Sequence, residues 1–265
     1  MIREVIYSVW KYRAFIFGSV QKELKSKYQN SLLGISWVIL NPLSMILIYT
    51  VIFSQIMQPK LPGIQNRFSY SIYLCSGLLT WNLFVEITTR SLRVFIDNAN
   101  LLRKVNFPHL CLPIVVVFTA IINFLIIFSI FTLFLIVTGN FPGLVFFAVI
   151  PIVIIQIIFS IGLGVILGLL NVFFRDVGQL YTVLLQVWFW LTPIVYTFEI
   201  LPEFASKFIS LNPMAKLIIA YQTILVNGQM PNWEDLSFVL VVTILLNLIS
   251  IKLFYKHNGD MVDEL

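Results

Sequence analysis

Between His109 and Arg175 lie 65 consecutive residues, Leu110 to Phe174, without Asp, Glu, Lys or Arg. A helix crosses a bilayer with about 20 apolar residues. The run is too long for one crossing and right for two. It is interrupted once, by Thr138-Gly139-Asn140-Phe141-Pro142-Gly143, and such Gly, Asn and Pro clusters mark turns. The chain therefore reads as an integral membrane protein, and this hairpin sets the register for the rest of its topology. Charged residues make up only 11% of the chain, against about 25% in soluble domains. A length of 265 residues suits one membrane domain and leaves no room for a separate soluble catalytic domain.

A hydropathy window of about 19 residues yields six spans, near residues 32–57, 69–89, 110–138, 144–170, 179–196 and 236–255. Both termini then fall on one side. That side collects 13 of the 17 Lys and Arg residues. Six are in the N-terminal segment (Arg3, Lys11, Arg13, Lys22, Lys25, Lys27) and four in the second loop (Arg90, Arg93, Arg103, Lys104). The other three are Arg175, Lys252 and Lys256. The opposite side holds Lys60, Arg67, Lys207 and Lys216. The positive-inside bias places both ends and the even-numbered loops in the cytoplasm.

Two further elements are expected. Ahead of the first span, Ile2, Val5, Ile6, Val9, Phe17, Val20 and Leu24 recur at helical spacing among basic residues. This predicts an amphipathic helix lying in the cytoplasmic interface. Residues 2–29 lack the continuous apolar core of a cleavable signal. The connection 198–235 is long and not hydrophilic. Its pieces 204–211 and 217–226 flank Asn212-Pro213 and are too short to span, which predicts short re-entrant or interfacial helices. The fold class is thus an all-α integral membrane protein with six transmembrane helices, an interfacial helix in residues 1–30 and a single membrane domain in 31–265.

Several chemistries lack their residues. No G-x-x-x-x-G-K-[ST] stretch is present, so the chain has no P-loop for ATP. His109 and His257 are the only histidines, and there is no metal-ligand cluster and no set of catalytic acids for a membrane glycosyl- or acyltransferase. Cys75 and Cys111 read as buried free thiols. Glu86 is the one acid inside a predicted span, and Arg90 follows one turn later, a spacing that pairs the two charges. Ion-coupled transport has little to stand on, and energy for any transport must come from elsewhere, most simply a partner chain.

Four stretches carry a resemblance. They are Lys25-Ser26-Lys27-Tyr28-Gln29-Asn30-Ser31-Leu32-Leu33-Gly34-Ile35-Ser36-Trp37 followed by Asn41-Pro42-Leu43; Asn100-Leu101-Leu102-Arg103-Lys104-Val105-Asn106-Phe107-Pro108 followed by Leu112-Pro113; Phe174-Arg175-Asp176-Val177 followed by Thr192-Pro193-Ile194-Val195-Tyr196; and Asn212-Pro213-Met214. In order and spacing they resemble the ABC-2 type permeases that export bacterial polysaccharides, the transmembrane subunits serving O-antigen, teichoic acid and some capsules. The resemblance implies a homodimer enclosing a channel in the bacterial inner membrane. It implies two cytoplasmic ATP-binding cassette subunits, which hold the ATP and Mg, and no cofactor in this chain. It implies a polymer carried on a polyprenyl pyrophosphate lipid. A coupling helix to the ATPase is then expected in the loop 97–108, with Asn98, Asn100, Arg103, Lys104 and Asn106.

Other site residues follow from chemistry placed on that frame. Lys25, Lys27, Arg175 and Asp176 sit at the cytoplasmic interface, where an Arg fork suits phosphate and where a plain span anchor is the alternative. On the fifth span Tyr181, Trp188, Thr192 and Tyr196 share one helix face, and Pro193 is expected to bend the helix. Sugar C–H faces stack on aromatic rings, so this face is a candidate channel lining and the connection 198–235 a candidate external gate. Gly162, Gly164 and Gly168 form a small-residue face that permits close helix packing. An exporter of a small hydrophobic compound is the alternative within transport.

Overall fold

The computed structural model describes residues 10–26, 36–52, 68–104, 108–198 and 202–265. Every regular element among them is helical. In chain order these are α1 (Arg13–Ser26), α2 (Trp37–Val51), α3 (Ser69–Asp97), α4 (Ala99–Lys104), α5 (Cys111–Val137), α6 (Val149–Phe173, preceded by a 3-10 segment Gly143–Ala148), α7 (Val177–Trp190), α8 (Glu203–Ser210), α9 (Pro213–Asn227) and α10 (Trp233–Glu264). A helix lies on each of the six predicted spans. Three are long and apolar enough to cross a membrane by length and composition: α5, the segment Gly143–Phe173 and α10. The pair α8 and α9 passes the same test together, bent by 96° at its break.

The charge-free hairpin forms at the predicted turn. Helix α5 ends at Val137, and Gly139 and Gly143 take positive φ of 71° and 67°, a conformation in which glycine avoids the Cβ clash. Helix α3 is the axis of the bundle. Its 29 residues are buried on most of their circumference, with α5, α6 and α9 packed around it. That location explains how it carries Ser69, Ser71, Ser76, Thr80, Thr88 and Ser91 buried. Hydroxyls of Ser76, Thr80 and Thr88 return to carbonyls three or four residues back, which removes the cost of an unpaired donor in an apolar setting.

Helix α6 packs on α3 through the small-residue face, within one chain. A Cβ added at Gly164 would come 2.6 Å from Ser91 Cβ, and one at Gly168 would come 2.6 Å from the Ser91 carbonyl oxygen. Gly162 faces the other way, toward Leu246 and Asn247 of α10. Two side-chain amides tie the same helices together: Gln156 Nε2 donates to the Thr80 carbonyl at 2.6 Å and Asn171 Nδ2 to the Leu92 carbonyl at 3.0 Å.

The fifth span departs from expectation. Helix α7 has 14 residues, about 21 Å at 1.5 Å per residue, short of the ~30 Å of hydrocarbon. It ends at Trp190, so Pro193 lies beyond the helix rather than bending it. The N-terminal helix also differs in detail. In α1 the buried residues are Ile16 and Val20, whereas Phe17 is 73% exposed. The helix packs on α5 by the 16/20 face. Ile2, Val5, Ile6 and Val9 lie outside the described residues.

Both short helices of the long connection form. Asn212 caps α9 by accepting from Met214 N, with Pro213 at the first position, and Gly228 closes it in the left-handed region; this is the usual Pro-in, Gly-out asymmetry. Helix α9 does not rest on the surface. Met214, Leu217, Ile218, Tyr221 and Ile224 are buried against α3, α6 and α10. Cys75 and Cys111 are buried and free.

The α3–α6 contact yields a direct prediction. Gly168→Val should cost about 1–3 kcal/mol from overpacking, lowering the thermal unfolding midpoint in detergent. Gly18→Val in α1, where an added Cβ meets nothing within 4 Å, should leave it unchanged. Equal midpoints for the two variants would contradict the contact.

Candidate translocation and coupling sites

The apolar composition of residues 191–197 does not make them helical, because the bundle supplies other partners for their backbone. Tyr70 OH donates to the Val195 carbonyl at 2.5 Å, Tyr73 OH to the Tyr196 carbonyl at 2.7 Å, and Gln222 Nε2 to the Pro193 carbonyl at 3.0 Å. Non-helical backbone at membrane depth is tolerated where protein groups satisfy it. Tyr221 OH donates to Gln156 Oε1 at 2.7 Å, joining α9 to the Gln156–Thr80 bond between α6 and α3. None of Tyr70, Tyr73, Gln156, Tyr221 or Gln222 was singled out from sequence, since their partners lie far away along the chain.

Asn212 is the joint between α7 and α9. Its Oδ1 accepts from Met214 N at 3.0 Å and from Trp188 Nε1 at 2.9 Å, and its Nδ2 donates to Thr192 Oγ1 and to the Leu191 carbonyl, each at 3.1 Å. Two of the stretches noted in the sequence, Thr192-Pro193-Ile194-Val195-Tyr196 and Asn212-Pro213-Met214, thus meet in space.

The four residues of the candidate lining separate here. Tyr181 is buried in the main core, and Thr192 is 0% exposed. Trp188 and Tyr196 keep partial exposure. The Trp188 ring packs edge-on against Phe84 at 5.1 Å between centroids, and Tyr196 OH donates to the Trp190 carbonyl at 2.8 Å. The fully open face of α7 is instead Leu180, Val183, Leu184, Val187 and Trp190. Between α6, α7 and the α8–α9 corner runs a groove of about 620 Å³, with Leu163, Leu167, Val187 and Phe208 among its walls and Tyr181 and Trp188 along it. Its lining is almost wholly apolar. Within the candidate external gate, residues 199–201 lie outside the described residues.

At its C-terminal end, α3 turns into α4 across a single residue. Asn98 Nδ2 donates back to the Val94 carbonyl at 2.8 Å, while its own carbonyl accepts from Leu101 N and Leu102 N. Helix α4 exposes Asn100 and Arg103 and buries Leu102. Lys104 closes the helix, and Asn106 lies outside the described residues. Arg175 and Asp176 are both exposed in the tight connection from α6 to α7, and neither forms an ion pair among the described residues. That connection is held by Asn171, whose Oδ1 accepts from Gly178 N at 3.0 Å. Lys25 is exposed in the last turn of α1, and Lys27 lies outside the described residues.

The predicted Glu86–Arg90 pair is present at 3.4 Å, within a larger network. Arg90 also pairs with Glu23 of α1. Thr119 Oγ1 of α5 donates to Glu23 Oε2 at 2.8 Å, and Asn123 Nδ2 to Glu86 Oε1 at 2.6 Å. The network fastens α1 to α3 and α5. Its charged groups are partly exposed while Thr119 and Asn123 are buried, and Glu23 and Arg90 border a polar cavity of about 500 Å³ that Arg93 and Thr182 also line. Glu23 carried no signal of its own in the sequence, being one acid on a helix rich in lysine.

An unwound, internally bonded segment between short helices, a short helix with an exposed polar face and several apolar spans describe a multi-pass membrane transport protein. The chain belongs to the ABC-2 type transporter family, whose model matches residues 15–226. It is 34% identical over 236 residues to the O-antigen export system permease protein RfbA of Klebsiella pneumoniae, covering 89% of this chain and 88% of that one. It is 30% identical over 269 residues to the O-antigen export system permease protein RfbA of Myxococcus xanthus, at full coverage of both. It is 21% identical over 245 residues to the polysialic acid transport protein KpsM of Escherichia coli, covering 91% and 92%.

The Asn212 joint can be probed thermodynamically. Asn212→Ala should lower stability by about 1–2 kcal/mol through loss of the cap and the side-chain bonds. Trp188→Phe should cost about 1 kcal/mol for the lost indole bond. Because the two share one bond, the double variant should fall short of the sum of the single effects. Strict additivity in thermal unfolding would remove the joint.

Proposed function

We propose that this chain is the channel-forming permease of an ABC exporter that moves lipid-linked polysaccharide, most specifically O-antigen on polyprenyl pyrophosphate, across the bacterial inner membrane. The observation that carries this reading is the likeness to two O-antigen export permeases over nearly the whole chain, joined to a sequence with no P-loop. Hydrolysis of ATP belongs to a separate subunit, present twice, that docks on α4 from the cytoplasm. Two copies of this chain form the pathway, each contributing six spans, with both termini cytoplasmic.

The polymer imposes a physical requirement. A hydrated glycan crossing ~30 Å of hydrocarbon loses on the order of a few kcal/mol for each hydroxyl left without a partner. Its path therefore needs hydrogen-bonding groups interleaved with flat apolar faces. The segment from Trp188 to Tyr196 offers both, and the helices α8 and α9 close over its end. In this role Trp188 and Tyr196 contact the sugar, Tyr181 and Thr192 set the wall behind them, and residues 198–235 gate the outer mouth. Lys25, Lys27 and Arg175 meet the phosphates at the inner face, with Asp176 beside Arg175.

A second reading has an observation of its own. The groove of about 620 Å³ beside α7 is almost wholly apolar and of a size that suits a small ligand, as an exporter of a hydrophobic compound would require.

ATPase activity of the co-expressed complex separates the two. Polyprenyl pyrophosphate-linked O-antigen should stimulate it severalfold, and small hydrophobic compounds should not. Stimulation by the compounds alone would replace the polysaccharide reading. In the same complex, Arg103→Glu with Lys104→Glu should reduce export at least tenfold while membrane insertion stays normal. Normal export by that variant would withdraw α4 as the docking helix.

A further inference from the structure

Helix α10 runs past its predicted span. Its predicted span closes near residue 255, yet the helix continues to Glu264, with Asp260, Asp263 and Glu264 exposed. These charges place its last turns in water. One face of this extension is nonetheless buried. Met261 is 0% exposed and shares a hydrophobic cluster with Leu102 of α4, Phe95 of α3, Cys111 and Leu112 of α5, and Val172 of α6.

Specific contacts reinforce the cluster. His109 Nδ1, two residues before α5, lies 2.8 Å from Asn258 Oδ1; the ring nitrogen donates and the amide oxygen accepts. The ring of His257 meets Phe173 at the end of α6 edge-on at 6.0 Å, and Phe254 packs on Phe95 at 6.0 Å. From Phe254 onward α10 thus touches α3, the residue that leads into α5, and α4 itself.

Helix α4 has six residues, too short to be stable alone. Its own side-chain anchor is Leu102, and its covalent tether to α3 is Asn98. A force on its exposed face is resisted by what lies beneath Leu101 and Leu102. We propose that the last turns of α10, residues 257–264, are the seat on which α4 rests, and that they pass its displacement into α6 and the body of α10. The seat rests on the reading of α4 as the docking helix. Asn258, His109 and Met261 are positioning residues, acting through α4 rather than on the transported molecule. Helices α6 and α10 pack along much of their length, so a seat on the α10 extension reaches the span beside the unwound segment without passing through the docking loop.

The test uses the full chain with its co-expressed ATPase subunit in proteoliposomes, and reads O-antigen exported per ATP hydrolysed. Asn258→Ala should lower that ratio about fivefold, the factor one intramolecular hydrogen bond is worth. Complex yield and the KM for ATP should stay unchanged. Asn258→Asp, which keeps the acceptor for His109, should restore the ratio, an outcome that a merely structural loss would not give. Deletion of residues 257–265 should abolish coupling while ATP hydrolysis persists. The inference is overturned if Asn258→Ala leaves the ratio unchanged, or lowers it only in step with complex yield. The two readings fail differently. If Arg103→Glu with Lys104→Glu uncouples and Asn258→Ala does not, α4 docks but its seat lies elsewhere. If the Asn258 and deletion variants uncouple and the charge reversal does not, the extension works without α4, which equally overturns the seat.

Discussion

The near-contact of backbones between α6 and α3 is what the rest of the molecule is built on. In lipid, apolar surface is equally content against acyl chains, so helices associate through close van der Waals packing and interhelical hydrogen bonds. Gly164 and Gly168 supply the first, since each lies where a Cβ would strike Ser91. Gln156 and Asn171 supply the second, with amides that reach carbonyls of α3 at two heights. Together they fix α6 in rotation and in height. Gly162 can then serve α10 on another side of the same helix. A helix with small residues on two faces becomes the partner of two neighbours at once.

With α3 enclosed, polar chemistry becomes affordable inside the bundle. Its outer turns present Tyr70 and Tyr73 to the carbonyls of residues 195 and 196, and its inner turns present Glu86 and Arg90 to α1 and α5. A lipid-facing helix could do neither without leaving donors or charges in hydrocarbon. The unwound segment after α7 and the fastening of α1 are therefore consequences of the same burial.

How much of this could be read from residues alone follows the range of each interaction. The charge-free run placed α5 at 110–138, and the helix occupies Cys111–Val137. Composition and turn signals, both local, sufficed. The Asn212-Pro213 break likewise divides α8 from α9 as expected, because capping is local too. The fifth span differs from its hydropathy at its end. Hydropathy continues to Tyr196, but the helix stops at Trp190 because Tyr70, Tyr73 and Gln222 claim the following carbonyls from far along the chain. The face Tyr181, Trp188, Thr192, Tyr196 presumes a continuous helix; the loss of helical register after Trp190 removes Thr192 and Tyr196 from it, while Tyr181 and Trp188 differ in burial within α7. The Glu86–Arg90 pair was visible at i,i+4, whereas Glu23, Thr119 and Asn123 join it from two other helices. Asn212 was noted as a turn residue, and nothing in its neighbourhood announces Trp188 as a partner.

These long-range contacts bear on how the two ends of the protein communicate. Helix α3 has 29 residues, about 44 Å at 1.5 Å per residue, and no proline. Near its first turn it holds the unwound segment through Tyr70 and Tyr73. Past its last turn it carries α4 across Asn98 alone, whose side chain bonds back to Val94. A rod so held cannot tilt at one end without moving hydroxyls at the other. The part-buried carbonyls of residues 195 and 196 would then lose donors, at roughly 0.5–1.5 kcal/mol for each hydrogen bond lost. That is of the order by which conformers of one protein differ. The bonds that make the unwound segment tolerable in a membrane are thus also the ones through which a displacement of α4 would be felt at the other end of α3.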